Sequence, residues 1–361
     1  MPNRLSAPST ALLAGLAAAA LACGEDPQSP TSGDAGVATP NATAAATYIV
    51  KNLGTLGGGE AAANGINDHG GVVGWSELAN GRSHAFLWRA GKMRDLGALA
   101  GGGSEATDIN NDDVVVGWST VASGAQRAVR WQNTKITNLG SLGGRNSVAT
   151  AINDLGVIVG WSETKTGKTH AFIWRNGVMR DIGALGGGNS RAWDINRAGK
   201  VVGGSEGHAF TWKDGVFEDL GDNGHEFAVA TAINTRGQVA VILGAFPDAE
   251  GAERDFTFPY IYYRGTWTST SGRGPTNEVH AINKDGIVAG SGFSFQDDEG
   301  RVHAWISSPG AGSVVLPPLT PGGIDRNWAL DINSFGTVVG ASMEMNGSFL
   351  GPSRAVLWRR Q

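Results

Sequence analysis

The chain has 361 residues, with Lys+Arg 28 against Asp+Glu 33, a net charge of −5 and no basic run. Phosphate backbones need clustered cations, so nucleic acid is excluded as an expected partner. Gly 56 is far above ordinary usage, yet the glycines recur at fixed places, which excludes a low-complexity disordered chain.

Residues 1–22 open on a short basic start at Arg4, run through Ala and Leu, and end just ahead of the Cys of "ALAC". That order is a secretory signal peptide, and its apolar run is too short to span a bilayer as a stable helix. Cys23, the single cysteine, follows small residues and resembles the lipidated first mature residue of a bacterial lipoprotein, with Ala20 where such signals usually carry Leu. Residues 23–46 therefore read as the lipidated Cys and a Pro/Ser/Thr/Ala-rich disordered tether. The expected location is beyond the inner membrane, in the periplasm, outer membrane or cell surface, with membrane contact through Cys23 alone.

From residue 47 one phrase repeats. Its "IN" landmark stands at Asn67, Asn110, Asn153, Asn196, Asn234, Asn283 and Asn333, at spacings of 43, 43, 43, 38, 49 and 50 residues. A period in the forties marks an array, a solenoid or a propeller. Within one copy, residues 104–144, the runs "EATDI", "VVVGWST", "RAVRW" and "KITNLG" read as short strands between turn-rich pieces. Four strands in about forty residues make a propeller blade. The seventh copy holds three runs up to Gln361, and "TYIVKNLGTLGGG" ahead of the first Asn matches the missing fourth. The expected fold is all-β. It is a seven-bladed β-propeller of four-stranded blades over residues 47–361, its ring closed by an N-terminal strand completing the last blade, which protects sheet edges. A β-solenoid is the alternative, and a monomer is expected.

Two repeated features invite a functional reading and receive a structural one. In "NDLG", "NRAG" and "NSFG" the Asn opens a four-residue link and Gly ends it, as when Asn caps its own turn and Gly takes the left-handed position; "NDDV" departs. The second feature stands as "HAFLW" at His84, "HAFIW" at His170, "HAFTW" at His208 and "HAWIS" at His303, weakening to "RAVRW" at Arg127 and "RAVLW" at Arg354. His, Phe and Trp of this motif share one strand face and read as packing. The four histidines lie on separate blades and cannot converge on a metal at about 2 Å. Together with "DLGxLGG" and "INxxGxVVG", these motifs resemble the HAF repeat family, named for His-Ala-Phe, over about residues 48–361. The resemblance implies an extracellular repeat protein and carries no activity or ligand; the fifth copy departs, with "PYIYY" in place of HAF.

In a repeat, constant positions build the scaffold and unlike positions are free to carry function. In the strand before each Asn, positions two, four and six back are small and read as blade-to-blade packing. Positions three and five back vary. Among them Glu105, Arg191, Trp193, Glu278, His280 and Trp328 form a candidate ligand-binding collar at the mouth where the innermost strands begin. Trp75, Trp118 and Trp161 recur in "GWS" and read as blade packing, with sugar stacking as the alternative. Two late insertions hold Asp248, Glu250, Asp297, Asp298 and Glu299, weak calcium candidates without EF-hand or nonapeptide spacing. No cofactor is expected. "SETKTGKT" fails as a phosphate loop because Ser162 occupies the place of the first Gly. Ser/His/Asp order, H-E-x-x-H and a nucleophile elbow are missing from the sequence.

The reading is a non-catalytic envelope or extracellular binding module that engages a protein or glycan at one propeller mouth. A propeller hydrolase or lyase is the first alternative; it requires Glu105, Glu278 and His280 within hydrogen-bond range of one another. A structural surface protein is the second, and it requires a smooth mouth.

Overall fold

The computed structural model describes residues 47–133, 135–245, 256–270, 277–293, 301–308, 312–320, 325–346 and 349–361. Cys23 and the five acidic residues Asp248, Glu250, Asp297, Asp298 and Glu299 lie outside these residues.

Seven antiparallel four-stranded sheets account for all the described strands. Blade 1 is typical: Gly57–Ile66, Val72–Leu78, Ser83–Arg89 and Lys92–Asp95 pair in sequence order. The first strand of every blade touches the first strands of both neighbouring blades, so the seven first strands surround a central channel. Blade 7 is composite. Arg326–Ile332, Val338–Asn346 and Phe349–Arg360 come from the C-terminal end, and Tyr48–Asn52 adds the outermost strand, with Tyr48 opposite Arg360. The chain is thus a seven-bladed β-propeller closed as the sequence predicts. The expectation of no helix needs one small amendment, since Leu99–Gly101 and Leu185–Gly187 form single 3₁₀ turns.

The core is distributed between the blades. Seven apolar clusters each join two adjacent blades, including the pair formed by blades 7 and 1. The small position four before each Asn (Ala63, Ala106, Ala149, Ala192, Ala230, Val279, Ala329) is fully buried, which lets neighbouring sheets approach. The Gly of "VVG" answers a second close approach. A Cβ at Gly160 would lie 2.0 Å from the Val148 carbonyl oxygen on the paired strand, so no larger residue fits there.

Each first strand also carries a β-bulge three residues before its Asn, at Asn64, Thr107, Thr150, Trp193, Thr231, His280 and Leu330. The bulged residue has no partner on the second strand, and side-chain alternation shifts by one beyond it. That shift overturns one sequence expectation. The residue two before Asn does not continue the packing face; in blades 2 and 7 it lines the channel as Asp108 and Asp331.

The repeated Asn caps its turn as expected. Asn153 Oδ1 accepts from the backbone N–H of Leu155 and of Val157, both at 3.0 Å. It does more, however. Its Nδ2 donates to the carbonyl of Asn196 in the next blade at 3.0 Å, and the same bond recurs from Asn67 to Asn110, Asn110 to Asn153, Asn196 to Asn234, Asn234 to Asn283 and Asn283 to Asn333. Asn333 then donates to Asn67 at 3.2 Å and closes the circle. Seven buried amides are therefore both turn caps and a continuous inter-blade staple.

Asn153→Ala is expected to cost about 2–4 kcal/mol, because it leaves the N–H groups of Leu155 and Val157 without their acceptor and removes the bond to the Asn196 carbonyl. Asn153→Asp keeps the cap and loses the staple, so at pH 8 it should fall between wild type and the Ala variant. Denaturant melts of the three proteins check the order; an Asp variant as stable as wild type would remove the staple's role.

Candidate functional site

Where the first strands end, the Asn ring floors a cavity of about 230 Å³. Its wall includes Asp108 and Asp331 below the ring and the turn residues Asp68, Asn111, Asp154, Arg197, Thr235, Lys284 and Ser334 above it. A smooth, unpocketed mouth is therefore not what this end of the channel presents.

The bulges explain the carboxylates. Beyond six of the bulges, the N–H of the next Ile bonds a carboxylate instead of its own sheet. Asp108 Oδ1 accepts from its neighbour Ile109 at 2.7 Å, and its Oδ2 accepts from Ile152 of blade 3 at 2.8 Å. Asp194 serves Ile195 and Ile233 of blade 5 in the same way, and Asp331 serves Ile332 and Ile66 of blade 1. Each carboxylate thus stitches two blades, and the blade that receives it has Gly65, Ala151 or Ala232 at the equivalent place. Three such pairs cover six of seven blades. Blade 6 is left over, with Ala281 in place of a carboxylate and Ala232 before it.

Burial holds these three acids above the usual carboxylate range. Asp108 is pushed up to about 8, by desolvation first and then by the nearby charge of Asp331; its two N–H bonds offset part of this. Desolvation likewise raises Asp331 to about 7 and Asp194 to about 6.

The predicted collar sits nearer the other end, at the starts of the first strands, and the structure divides it into separate groups. Glu105 is buried and accepts from Asn64 Nδ2 of blade 1 at 2.9 Å, with the carbonyl of Ala106 taking the same amide. Desolvation raises it to about 7 against hydrogen bonds from Asn64 and Trp118. Its role is inter-blade bonding, which corrects its expected place on an open collar. Trp328 packs with Ala62, Trp75 and Ala341 across the junction of blades 7 and 1. Arg191 is exposed, and its guanidinium lies 4.8 Å from the Trp161 ring centre of blade 3. Trp193 occupies the bulge of blade 4 and is half-buried.

Glu278 and His280 do come together, in blade 6. His280 Nε2 lies 2.9 Å from Ser291 Oγ and 3.6 Å from Glu278 Oε2. Burial pushes the imidazole down to about 4 and the carboxyl up to about 7. Near neutrality this is a neutral His beside a half-protonated acid. Glu105 does not join them, being bonded in blades 1 and 2, so the three-residue acid/base set is not assembled.

The HAF histidines have a local role that the sequence reading did not foresee. Nδ1 of His84, His170 and His208 lies 2.9, 2.7 and 3.1 Å from Asp95, Asp181 and Asp219, the Asp of the fourth strand in the same blade. Each Asp also accepts the N–H of the Gly two residues on. The pair fixes the outer strand's exit, and no metal cluster of three or more ligating side chains occurs among the described residues.

No protein-family model matches the chain, and no curated protein matches it. Solved structures do. The WD40 propeller domain of Doa1 is 12% identical with a TM-score of 0.47, over 85% of this chain and 96% of that one. TolB from Acinetobacter baumannii is 13% identical with a TM-score of 0.38, over 67% and 66%. A mutant of AofleA from Arthrobotrys oligospora is 11% identical with a TM-score of 0.37, over 86% and 92%. The fold assignment rests on the strand pairing itself.

The raised acids set a pH dependence. A carboxyl that is neutral in the folded chain at a pH where the unfolded chain is ionised binds the extra proton when folded, so stability falls as pH rises. The window runs from about 4, where unfolded Asp ionises, to about 8, the folded value of Asp108. Thermal melts from pH 4.5 to 8 should therefore show Tm declining, with a shallower decline in Asp108→Asn. A Tm that rises across this range would contradict the assignment.

Proposed function

We propose that the chain is a non-catalytic binding module of the bacterial envelope, a HAF-type repeat protein held through Cys23 and a tether. It engages a protein or glycan at the mouth where the first strands begin. The observation that carries the reading is the Arg191 guanidinium stacked over Trp161, with half-buried Trp193 one bulge further into the channel. A cation on an indole face offers both charge and a flat apolar surface, the means by which aromatic side chains hold sugars and protein side chains. The surrounding staples make the scaffold rigid, so a ligand there meets a preformed surface and loses little to ordering the site. The module acts as a monomer and binds its partner without a cofactor, with the late acidic insertions around Asp248 and Asp297 as its weak calcium candidates.

The hydrolase alternative retains Glu278 and His280 only. An imidazole held near 4 is a weak base at neutral pH, which favours the binding reading over it.

Chemical crosslinking of the lipidated protein in its own cells, read by mass spectrometry, tests the proposal. A discrete protein or glycan should be captured on the peptide carrying Arg191 and Trp193. The Arg191→Ala/Trp193→Ala variant should reduce capture by at least about tenfold at unchanged Tm, the loss of roughly 1.4 kcal/mol of contact energy. Capture that survives the double variant would move the site elsewhere. A Cys23→Ser variant that stays membrane-bound would remove the anchor.

A further inference from the structure

The turns that rim the Asn-ring cavity follow a second rule, and blades 3 to 6 break it. The residue after each Asn has an N–H that no bond within its turn uses. In blade 7 the Ser334 N–H donates to Asp68 Oδ1 of blade 1 at 2.9 Å. In blade 1 the Asp68 N–H donates to Asn111 Oδ1 of blade 2 at 2.9 Å, and in blade 2 the Asn111 N–H donates to Asp154 Oδ1 of blade 3 at 3.0 Å. The chain thus fills this position with an oxygen from the next blade wherever that blade carries Asp or Asn after its own Asn. From blade 3 onward the next residues are Arg197, Thr235, Lys284 and Ser334, and none of them accepts from the N–H groups of Asp154, Arg197, Thr235 and Lys284.

Four residues lining the same cavity on neighbouring blades therefore carry backbone N–H groups with no acceptor among the described residues. Arg197 is exposed and forms no ion pair among the described residues. Lys284 and Arg236 share Asp285, at 2.8 and 3.5 Å, so Arg197, Lys284 and Arg236 stand against Asp285 and Asp154 along the arc, an excess of one cation. The carboxylates lining the cavity are engaged in hydrogen bonds, Asp68 Oδ1 with the Ser334 N–H. Both oxygens of Asp154 are taken by Asn111, and Asp108, Asp194 and Asp331 lie below the ring with their oxygens on backbone N–H groups. Exposed apolar side chains bracket the arc, Leu155 in blade 3 and Phe335 in blade 7 at 61% and 75% exposure.

We propose that this arc, the N–H groups of Asp154, Arg197, Thr235 and Lys284 with the Arg197 guanidinium, binds an acidic peptide segment of a partner protein. Ligand carboxylates take the places that Asp68, Asn111 and Asp154 fill on the other half of the rim. Backbone donors beside a cation favour a carboxylate through charge-assisted hydrogen bonds. The flanking Leu155 and Phe335 favour a polypeptide over a small dicarboxylate, since they add contact area beyond the charged arc. This site is at the opposite end of the channel from Arg191 and Trp193 and is independent of the binding proposed there.

The test uses the ¹⁵N-labelled protein and an acetylated, amidated peptide with a Glu-Glu-Glu-Glu centre between two Leu residues. The amides of Asp154, Arg197, Thr235 and Lys284 should shift on titration, while those of Ser334, Asp68 and Asn111 hold. Arg197→Glu should weaken binding by at least about tenfold at unchanged Tm, and Phe335→Ser by a smaller factor. Equal shifts at the capped amides, no shifts at all, or full binding by Arg197→Glu would overturn the site. Succinate binding as tightly as the peptide would overturn the polypeptide partner. The Arg191→Ala/Trp193→Ala variant should bind the peptide normally, which separates the two sites.

Discussion

Closing a ring of sheets requires every junction between blades to hold, because one weak junction opens the whole circle. The seven Asn side chains meet that constraint with one residue type. Each oxygen organises the turn that ends a first strand, and each nitrogen bonds the corresponding turn of the next blade, until Asn333 returns to Asn67. An amide carries its acceptor and its donors on separate atoms of one short stem, so it accepts two turn N–H groups and still donates to the next blade. The composite seventh blade then ties both ends of the described chain into the same ring, so closing the sheet and closing the circle are one event.

The bulges impose a second constraint on this scaffold. They turn the N–H groups of six Ile residues toward channel carboxylates, since a buried donor needs an acceptor. Asp108, Asp194 and Asp331 each serve two blades, and an odd number of blades leaves one out. Blade 6 is the exception, and its first strand also carries the Glu278–His280 pair. Burial raises all three carboxyls, Asp108 the most and Asp194 the least, so the stitches cost stability as pH rises while still ordering the ring.

Part of the candidate site was legible in the sequence and part was not. The varying positions were visible because they change where their neighbours do not; Arg191 is exposed and Trp193 half-buried, while His280 is buried beside Glu278 and Ser291 within blade 6 rather than open on a collar. Glu105 and Trp328 were misplaced because a varying residue can still be buried against the blade beside it, and sequence spacing contains no information about the neighbouring blade's side chains. Asp108, Asp194 and Asp331 were read as packing because strict alternation was carried through a bulge. The signal that could have found them was present, since "DIN" alternates with "AIN" or "GIN" around most of the ring.

The sequence by itself determined the repeat, the seven four-stranded blades, the closing strand and the turn-capping Asn, since all of these follow from period, alternation and local turn chemistry within one copy. Only the tertiary structure decided which groups face the channel and which donors the next blade leaves unfilled. Those are relations between residues about forty positions apart, across junctions that exist only once the ring has closed.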